Sequence, residues 1–518
     1  MTSSGHENTS AGDDPPHRDI HHHPRGRIHP DENTGLQQSL SRRQLQMIAV
    51  GSAIGTGLFL GTGARLEQAG PALALLYLIC GFFGYLILRS LGELIVYRPT
   101  SGSFVSYARE FFGEKAAYTA GWMYWFNWAM TAVADGTAIA IYIRWFGHYS
   151  KFVASLPQWL LALAVVLSVA GLNLVSVKVF GELEFWFSTI KVGALILFLI
   201  IGIVFVIFGS PNGQPTGIHL LSEGGGILPN GLLPALVVVQ GVVFAYAGIE
   251  LVGTTSGEAQ DARKEIPKAI NLVILRIAVF YCGSVLLLCL LLPYTTYSAG
   301  ESPFVTFFAS IGVDAAAPIM QLIVITAALS SLNAGLYSTG RIMHSLALEG
   351  SAPRFAAKLT RSGVPYGGIL LTTVVALAGV GLNYVVPEQT FEIVLSLAAL
   401  GTMASWATIT LSHMKFVSLA TKGVYHRPAY QAHLAPYSNY LILGFLACVI
   451  LLMACDYPVG TWTLIVSLLF FPALAVGWKI NRSRIMAALD ARQAQRTAEQ
   501  HNNTHDRQQG ITTEQPPG

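Results

Sequence analysis

The chain has 518 residues, of which 53% are hydrophobic and 11% charged, with 31 Lys and Arg against 28 Asp and Glu. A mean hydropathy of +0.52 excludes an ordinary water-soluble domain and requires most of the length to lie in lipid. The net charge of +3 carries no nucleic-acid signature, and no such partner is expected.

Residues 1–41 read as a disordered cytoplasmic tail. His6, His17, His21, His22, His23 and His29 stand there among Gly, Pro, Ser and Asp, with no apolar core or small-residue cleavage site of a secretory signal. Twelve apolar stretches near the ~20 residues needed to cross the hydrocarbon follow. They run over 44–66, 71–96, 117–146, 157–175, 183–209, 232–257, 270–292, 316–348, 367–386, 391–414, 437–455 and 460–479. A second disordered tail is expected over 481–518. Cys80, Cys282, Cys289, Cys448 and Cys455 are odd in number and lack metal-ligand spacing, so neither disulfides nor a zinc site is expected.

The first stretch contains Gly51-Ser52-Ala53-Ile54-Gly55-Thr56-Gly57. Each glycine costs a helix interior roughly 1 kcal/mol against alanine, so the helix is expected to break there. A break at membrane depth must line a protein-enclosed or watery site, and freed amides at a half-helix end suit a carboxylate. Five spans later, Phe244-Ala245-Tyr246-Ala247-Gly248-Ile249-Glu250 shows the same fault. Five is an odd number, so the two helices run oppositely. Segments 44–209 and 232–414 then read as inverted repeats, with 437–479 outside them, and paired broken helices point to a site near the midplane.

Between the spans, the even-numbered connections carry the cations, among them Arg98, Arg109, Lys115, Lys178, Arg263, Lys264, Lys268, Arg354, Lys358, Arg361, Lys422 and Arg427. The odd-numbered ones carry little beyond Arg65, Lys151 and several acids. This positive-inside bias puts both termini in the cytoplasm. In the first such connection, SFVSYAREFFG reads as an amphipathic helix on the membrane surface. Glu93 and Arg98 before it read as an interfacial pair.

Lys191 stands inside the fifth span between apolar neighbours, about eight residues or ~12 Å from its start. A lysine near a helix centre costs ~2.5 kcal/mol or more, which marks it for energy coupling, and desolvation brings exchange of a lysine proton within reach of neutral pH. Glu250 lies at similar depth, as a proton-handling group or as a cap for amides freed by the break. Asp135, in the outer half of the third span, is assigned no transport step. No nucleophile–base set, metal-ligand spacing or phosphate loop suggests an enzyme.

The run Arg43 to Gly63 (RQLQMIAVGSAIGTGLFLGTG) resembles the first helix of amino-acid permeases of the amino acid–polyamine–organocation superfamily, amino acid transporter subfamily. So do PTSGSFVSYAREFFG (99–113), GWMYWFNWAM (121–130), GELEFWFSTIKV (181–192), FAYAGIELVGTTSGEA (244–259) and SLNAGLYSTGRIMHSLA (331–347). The likeness covers residues 42–480, and AGESPFVTFF (299–308) and SGVPYGGI (362–369) draw it towards bacterial L-asparagine permeases.

The resemblance implies an all-α polytopic fold of twelve transmembrane helices. These comprise a leucine-transporter-type 5+5 inverted repeat plus two C-terminal helices, with helices 1 and 6 unwound in mid-membrane. It implies proton-coupled import of a small amino acid, L-asparagine first, across the cell membrane, with the proton the coupling ion and no cofactor. Other neutral or aromatic amino acids, γ-aminobutyrate, exchange, or sensing without transport are the alternatives.

In the family, the helix 1 turn holds the substrate carboxylate, which here means Ile54, Gly55, Thr56 and Gly57. The helix 6 break, at Phe244, Ala245 and Ala247, holds the ammonium, with Tyr246 placed to cover the pocket. Met123, Asn127, Met130, Ser331, Asn333 and Thr408 are candidate lining groups. Lys191 matches a lysine that stands where sodium-coupled relatives bind sodium, with Glu250 as its possible partner. The bilayer is the expected surrounding, and the oligomeric state is left open.

Overall fold

The structure is a computed structural model that describes residues 54–100, 102–251, 253, 262–386 and 390–511. The N-terminal tail, the first glycine Gly51 and the inner end of the sixth span with Gly257 lie outside the described residues. Among the described residues all regular structure is helical, and nine helices are long and apolar enough to cross a membrane. A shorter apolar stretch, Leu232–Ala245, adds to these.

In chain order the helices are α1 (Thr56–Phe59), α2 (Gly61–Ala69), α3 (Ala72–Tyr97), α4 (Ser103–Phe112), α5 (Glu114–Trp145), α6 (Gln158–Val175) and α7 (Val177–Phe208). There follow α8 (Leu232–Val237), α9 (Val239–Ala245), α10 (Ala262–Arg276), a π-helical segment Ile277–Gly283, α11 (Ser284–Leu291) and α12 (Pro303–Ser310). The set ends with α13 (Ala316–Leu348), α14 (Tyr366–Val385), α15 (Thr390–Thr421), α16 (Tyr437–Cys455) and α17 (Val459–Ile511).

Helix α5 is the central post, packed against α4, α6, α13, α14 and α15. Lipid offers no hydrophobic drive to join helices, so close approach through small residues takes its place. A Cβ on Gly335 of α13 would stand 3.0 Å from the Trp128 ring of α5, and one on Gly401 of α15 would stand 2.6 Å from the Asn127 Cβ. Towards α2, the Arg65 guanidinium occupies the space that a Cβ on Gly61 or Gly241 would need, which joins α2 to α9.

Several boundaries depart from the sequence reading, each for a local reason. The fifth helix begins at Val177, six residues before the apolar run. Ser176 caps it there, its hydroxyl accepting from the Val179 amide at 3.1 Å. The last helix runs on to Ile511, through a stretch assigned to a disordered tail from 481. Residues 486–500 are rich in Ala, Gln and Arg, all good helix formers. Just before them, Ile485 is buried with Tyr118 and Leu474, and Arg484 donates to the Ala352 carbonyl at 2.8 Å.

Two further expectations are corrected at the inner ends. Helix α4 does not lie on the surface: eight of its ten residues are buried. Its Arg109 is enclosed by Glu114, at 3.1 Å, and by Glu349. A buried arginine needs such paired carboxylates, and they come from the start of α5 and the end of α13. Glu93 does not pair with Arg98. It receives both nitrogens of an Arg427 fork, at 2.6 and 2.9 Å, the His413 ring at 2.9 Å and the Ala432 amide at 2.6 Å, while Arg98 pairs with Glu110. Partners more than 300 residues away cannot be read from spacing.

Candidate functional site

Gly55 has an extended backbone (φ −137°, ψ −156°) and serves as the N-cap of α1, which begins at Thr56. Its own carbonyl accepts from the Leu58 and Phe59 amides. Gly55 itself has no side chain with which to cap this end, and the first amides of α1 have no intrahelical acceptor by geometry. Ile54, Thr56 and Gly57 are all buried. The Thr56 hydroxyl, expected as a spare donor, instead donates to Asp135 Oδ1 of α5 at 2.7 Å.

Asp135 is fully buried, and Ser331 of α13 stands beside it. Ser331 also faces Gly55, where an added Cβ would come within 3.2 Å of its Oγ. Three helices therefore converge on the turn: Gly55 and Thr56 from the first, Asp135 from α5 and Ser331 from α13. Sequence reasoning passed over Asp135, although its one available signal, an acid in an apolar span, is the same that singled out Lys191.

The second break runs Tyr246–Glu250. Helix α9 ends at Ala245, and three-residue bonds carry the chain on: Ala247 N to Phe244 O at 2.8 Å, Leu251 N to Gly248 O at 3.1 Å and Gly253 N to Glu250 O at 2.8 Å. Gly248 sits at φ +91°, a conformation that favours glycine. Both carboxylate oxygens of Glu250 accept from the Gly248 amide, at 3.3 and 3.2 Å. Glu250 thus caps the break from within. The first turn of α1 meets the end of α9 at Gly57, where an added Cβ would lie 2.6 Å from the Ala245 Cα.

Lys191 is fully buried, and its Nζ donates to the Ser330 hydroxyl of α13 at 2.8 Å. Because α7 starts at Val177, the lysine lies about 21 Å along the helix, beyond the reach of snorkelling. Ser330 and Ser331 are consecutive, so one peptide unit joins the lysine's partner to the residue facing Gly55.

The other expected lining groups have the following neighbours. Met123 packs in a cluster with Tyr118, Leu474 and Ile485, against α17. The Tyr246 hydroxyl donates to the Tyr77 carbonyl of α3 at 2.8 Å, and its ring stacks on Tyr281 with centroids 4.7 Å apart. Thr408 bonds back to its own helix at Ala404. Met130 is half-buried against the core, and Asn127 accepts from the Thr402 hydroxyl at 3.1 Å, tying α5 to α15. Asn333 accepts from Asn173 at 2.8 Å and turns its amide nitrogen to Glu184. Phe244 is buried and Ala247 half-buried at the second break.

Known proteins give this arrangement its context. The Amino acid permease family pattern matches residues 44–487. The chain is 56% identical over 458 residues to L-asparagine permease 1 of Mycobacterium tuberculosis, covering 88% of this chain and 93% of that one. It is 54% identical over 452 residues to the L-asparagine permease of Escherichia coli (87% and 90% covered). The Streptomyces coelicolor L-asparagine permease is 50% identical over 454 residues (88% and 92%). With apolar helices, the start of α1 meeting the end of α9 in a buried turn and a match over most of its length, the chain belongs to the amino acid permease family, as a multi-pass membrane transporter of amino acids and not an enzyme.

Proposed function

We propose that this permease imports L-asparagine together with protons across the cell membrane by alternating access, with Lys191 carrying the coupling proton. The observation that carries the reading is the join between two features. The Lys191 amine is held by Ser330, and the next residue, Ser331, faces the Gly55 turn. A change in the lysine's charge therefore acts one residue away from the place where a substrate carboxylate meets the amides of α1.

The architecture belonging to this reading has twelve transmembrane helices in a 5+5 inverted repeat plus two, with the first and sixth unwound at the site. Both termini are cytoplasmic, on the positive-inside pattern. Carboxylate recognition falls to the amides from Gly55 to Gly57, and ammonium recognition to carbonyls around Phe244, Ala245 and Ala247. Asparagine as substrate is drawn from the printed names of the relatives.

The test is uptake of labelled L-asparagine into proteoliposomes under an imposed proton gradient. Lys191→Ala is expected to lower gradient-driven accumulation at least about tenfold while counterflow persists. Unchanged concentrative uptake by that variant at neutral pH would remove the proton role. Competition by unlabelled amino acids tests the substrate: asparagine should compete best, and stronger competition by phenylalanine or γ-aminobutyrate would reassign it.

A further inference from the structure

A second buried ionisable group shares the coupling helix. Glu184 and Lys191 are seven residues apart on α7, close to two full turns, so both face α13. Glu184 is fully buried. Its Oε1 accepts from the Ser330 hydroxyl at 2.6 Å and from Ser188 at 3.3 Å, and lies 4.0 Å from Lys191 Nζ. Its Oε2 faces the Asn333 amide nitrogen at 3.5 Å. An intramembrane carboxylate is costly enough to need a reason.

Neutralising Lys191 is one such reason, but direct contact would serve it better. Here the Ser330 hydroxyl stands between the two groups, accepting from the amine and donating to the carboxylate. That is an unbroken donor–acceptor chain from nitrogen to carboxylate.

We propose that Glu184 is the proton acceptor for Lys191, reached through the Ser330 hydroxyl, on the side of the membrane where α7 begins. The proposal rests on the reading that Lys191 carries the coupling proton. In the step, an Nζ–H bond breaks and an O–H bond forms on Ser330 Oγ. The original Ser330 O–H bond breaks as its proton bonds to Glu184 Oε1. A buried ammonium and carboxylate become a neutral amine and a carboxylic acid, so no net charge is created.

Rotation of the hydroxyl resets the wire. Lys191 is faced by Glu184 from its own helix, by Asp135 from α5 and by Arg276 from the end of α10. Glu184 lies about 10 Å nearer than Lys191 to the end of α7 that the positive-inside pattern assigns to the cytoplasm.

The experiment compares Glu184→Gln, Ser330→Ala, Ser330→Thr and Lys191→Ala in proteoliposomes, measuring proton-driven L-asparagine accumulation beside counterflow, which needs no net proton movement. Glu184→Gln and Ser330→Ala should each lower proton-driven accumulation at least about fivefold and leave counterflow within about twofold, while Ser330→Thr restores the drive. If Lys191→Ala loses the drive but Glu184→Gln and Ser330→Ala keep it, the relay is overturned and the lysine reading stands. If Lys191→Ala keeps the drive, both fall together. Should Glu184→Gln fail to fold, the Ser330→Ala and Ser330→Thr pair decides alone.

Discussion

The start of α1 and the turn that follows α9 differ in how they treat their own backbone. At Gly55 the N-cap residue has no side chain to offer the helix that follows, and the nearby polar groups, Thr56, Asp135 and Ser331, bond or face one another across three helices. At Gly248 the chain supplies its own cap, because Glu250 takes the amide with both oxygens. Under the function proposed above, the first turn would offer its amides to the substrate carboxylate, while the second satisfies its Gly248 amide with Glu250 and would offer carbonyls to the ammonium.

The sharpest way to break this comparison is to fill the first turn. Gly57→Ala puts a Cβ 2.6 Å from the Ala245 backbone, which cannot yield as a side-chain tip would. Overpacking of this kind costs about 1–3 kcal/mol and separates the two breaks. Asparagine uptake should fall at least about tenfold, and Gly55→Val, which crowds Ser331, should act in the same direction on substrate binding. Full uptake by both variants would mean that the turn is not the site.

A smaller effect is expected at the second break. Glu250→Ala leaves the buried Gly248 amide unpaired, at about 1–3 kcal/mol. The loss should appear as a lower unfolding temperature of the detergent-solubilised protein. A variant as stable as the wild type, but with altered pH dependence of uptake, would turn Glu250 from a cap into a proton carrier.

The smallest effect belongs to Tyr246→Phe, which removes one neutral bond to the Tyr77 carbonyl, about 0.5–1.5 kcal/mol. Its KM for asparagine should match the wild type, since the hydroxyl is turned towards α3. A raised KM would return Tyr246 to the substrate.

What the sequence made legible was whatever depends on neighbours along the chain. The apolar spans, the two glycine faults and Lys191 are local signals, and the spans at 157–175, 316–348 and 437–455 fall within a residue of the helices. What stayed hidden depends on which way a side chain turns. Met123 and Asn127 are one helical turn apart, yet one packs against α17 and the other bonds to Thr402. Glu184 was passed over because the fifth span was drawn from Leu183. That boundary put the acid at the membrane edge, where a charge needs no explanation, whereas Ser176 in fact starts the helix two turns earlier. Asp135 was left without a role because its partner Thr56 is 79 residues away.

The carboxylate of Glu93 has a mechanical corollary. Arg427 and Ala432 close on it from the segment that leaves α15 for α16, and His413 closes on it from within α15. That segment is riveted to the inner end of α3. In the alternating-access cycle proposed above, any movement of α3 would pass through that carboxylate to the base of α16, so the terminal helix pair would travel with α3 as freight and not stand as a fixed wall.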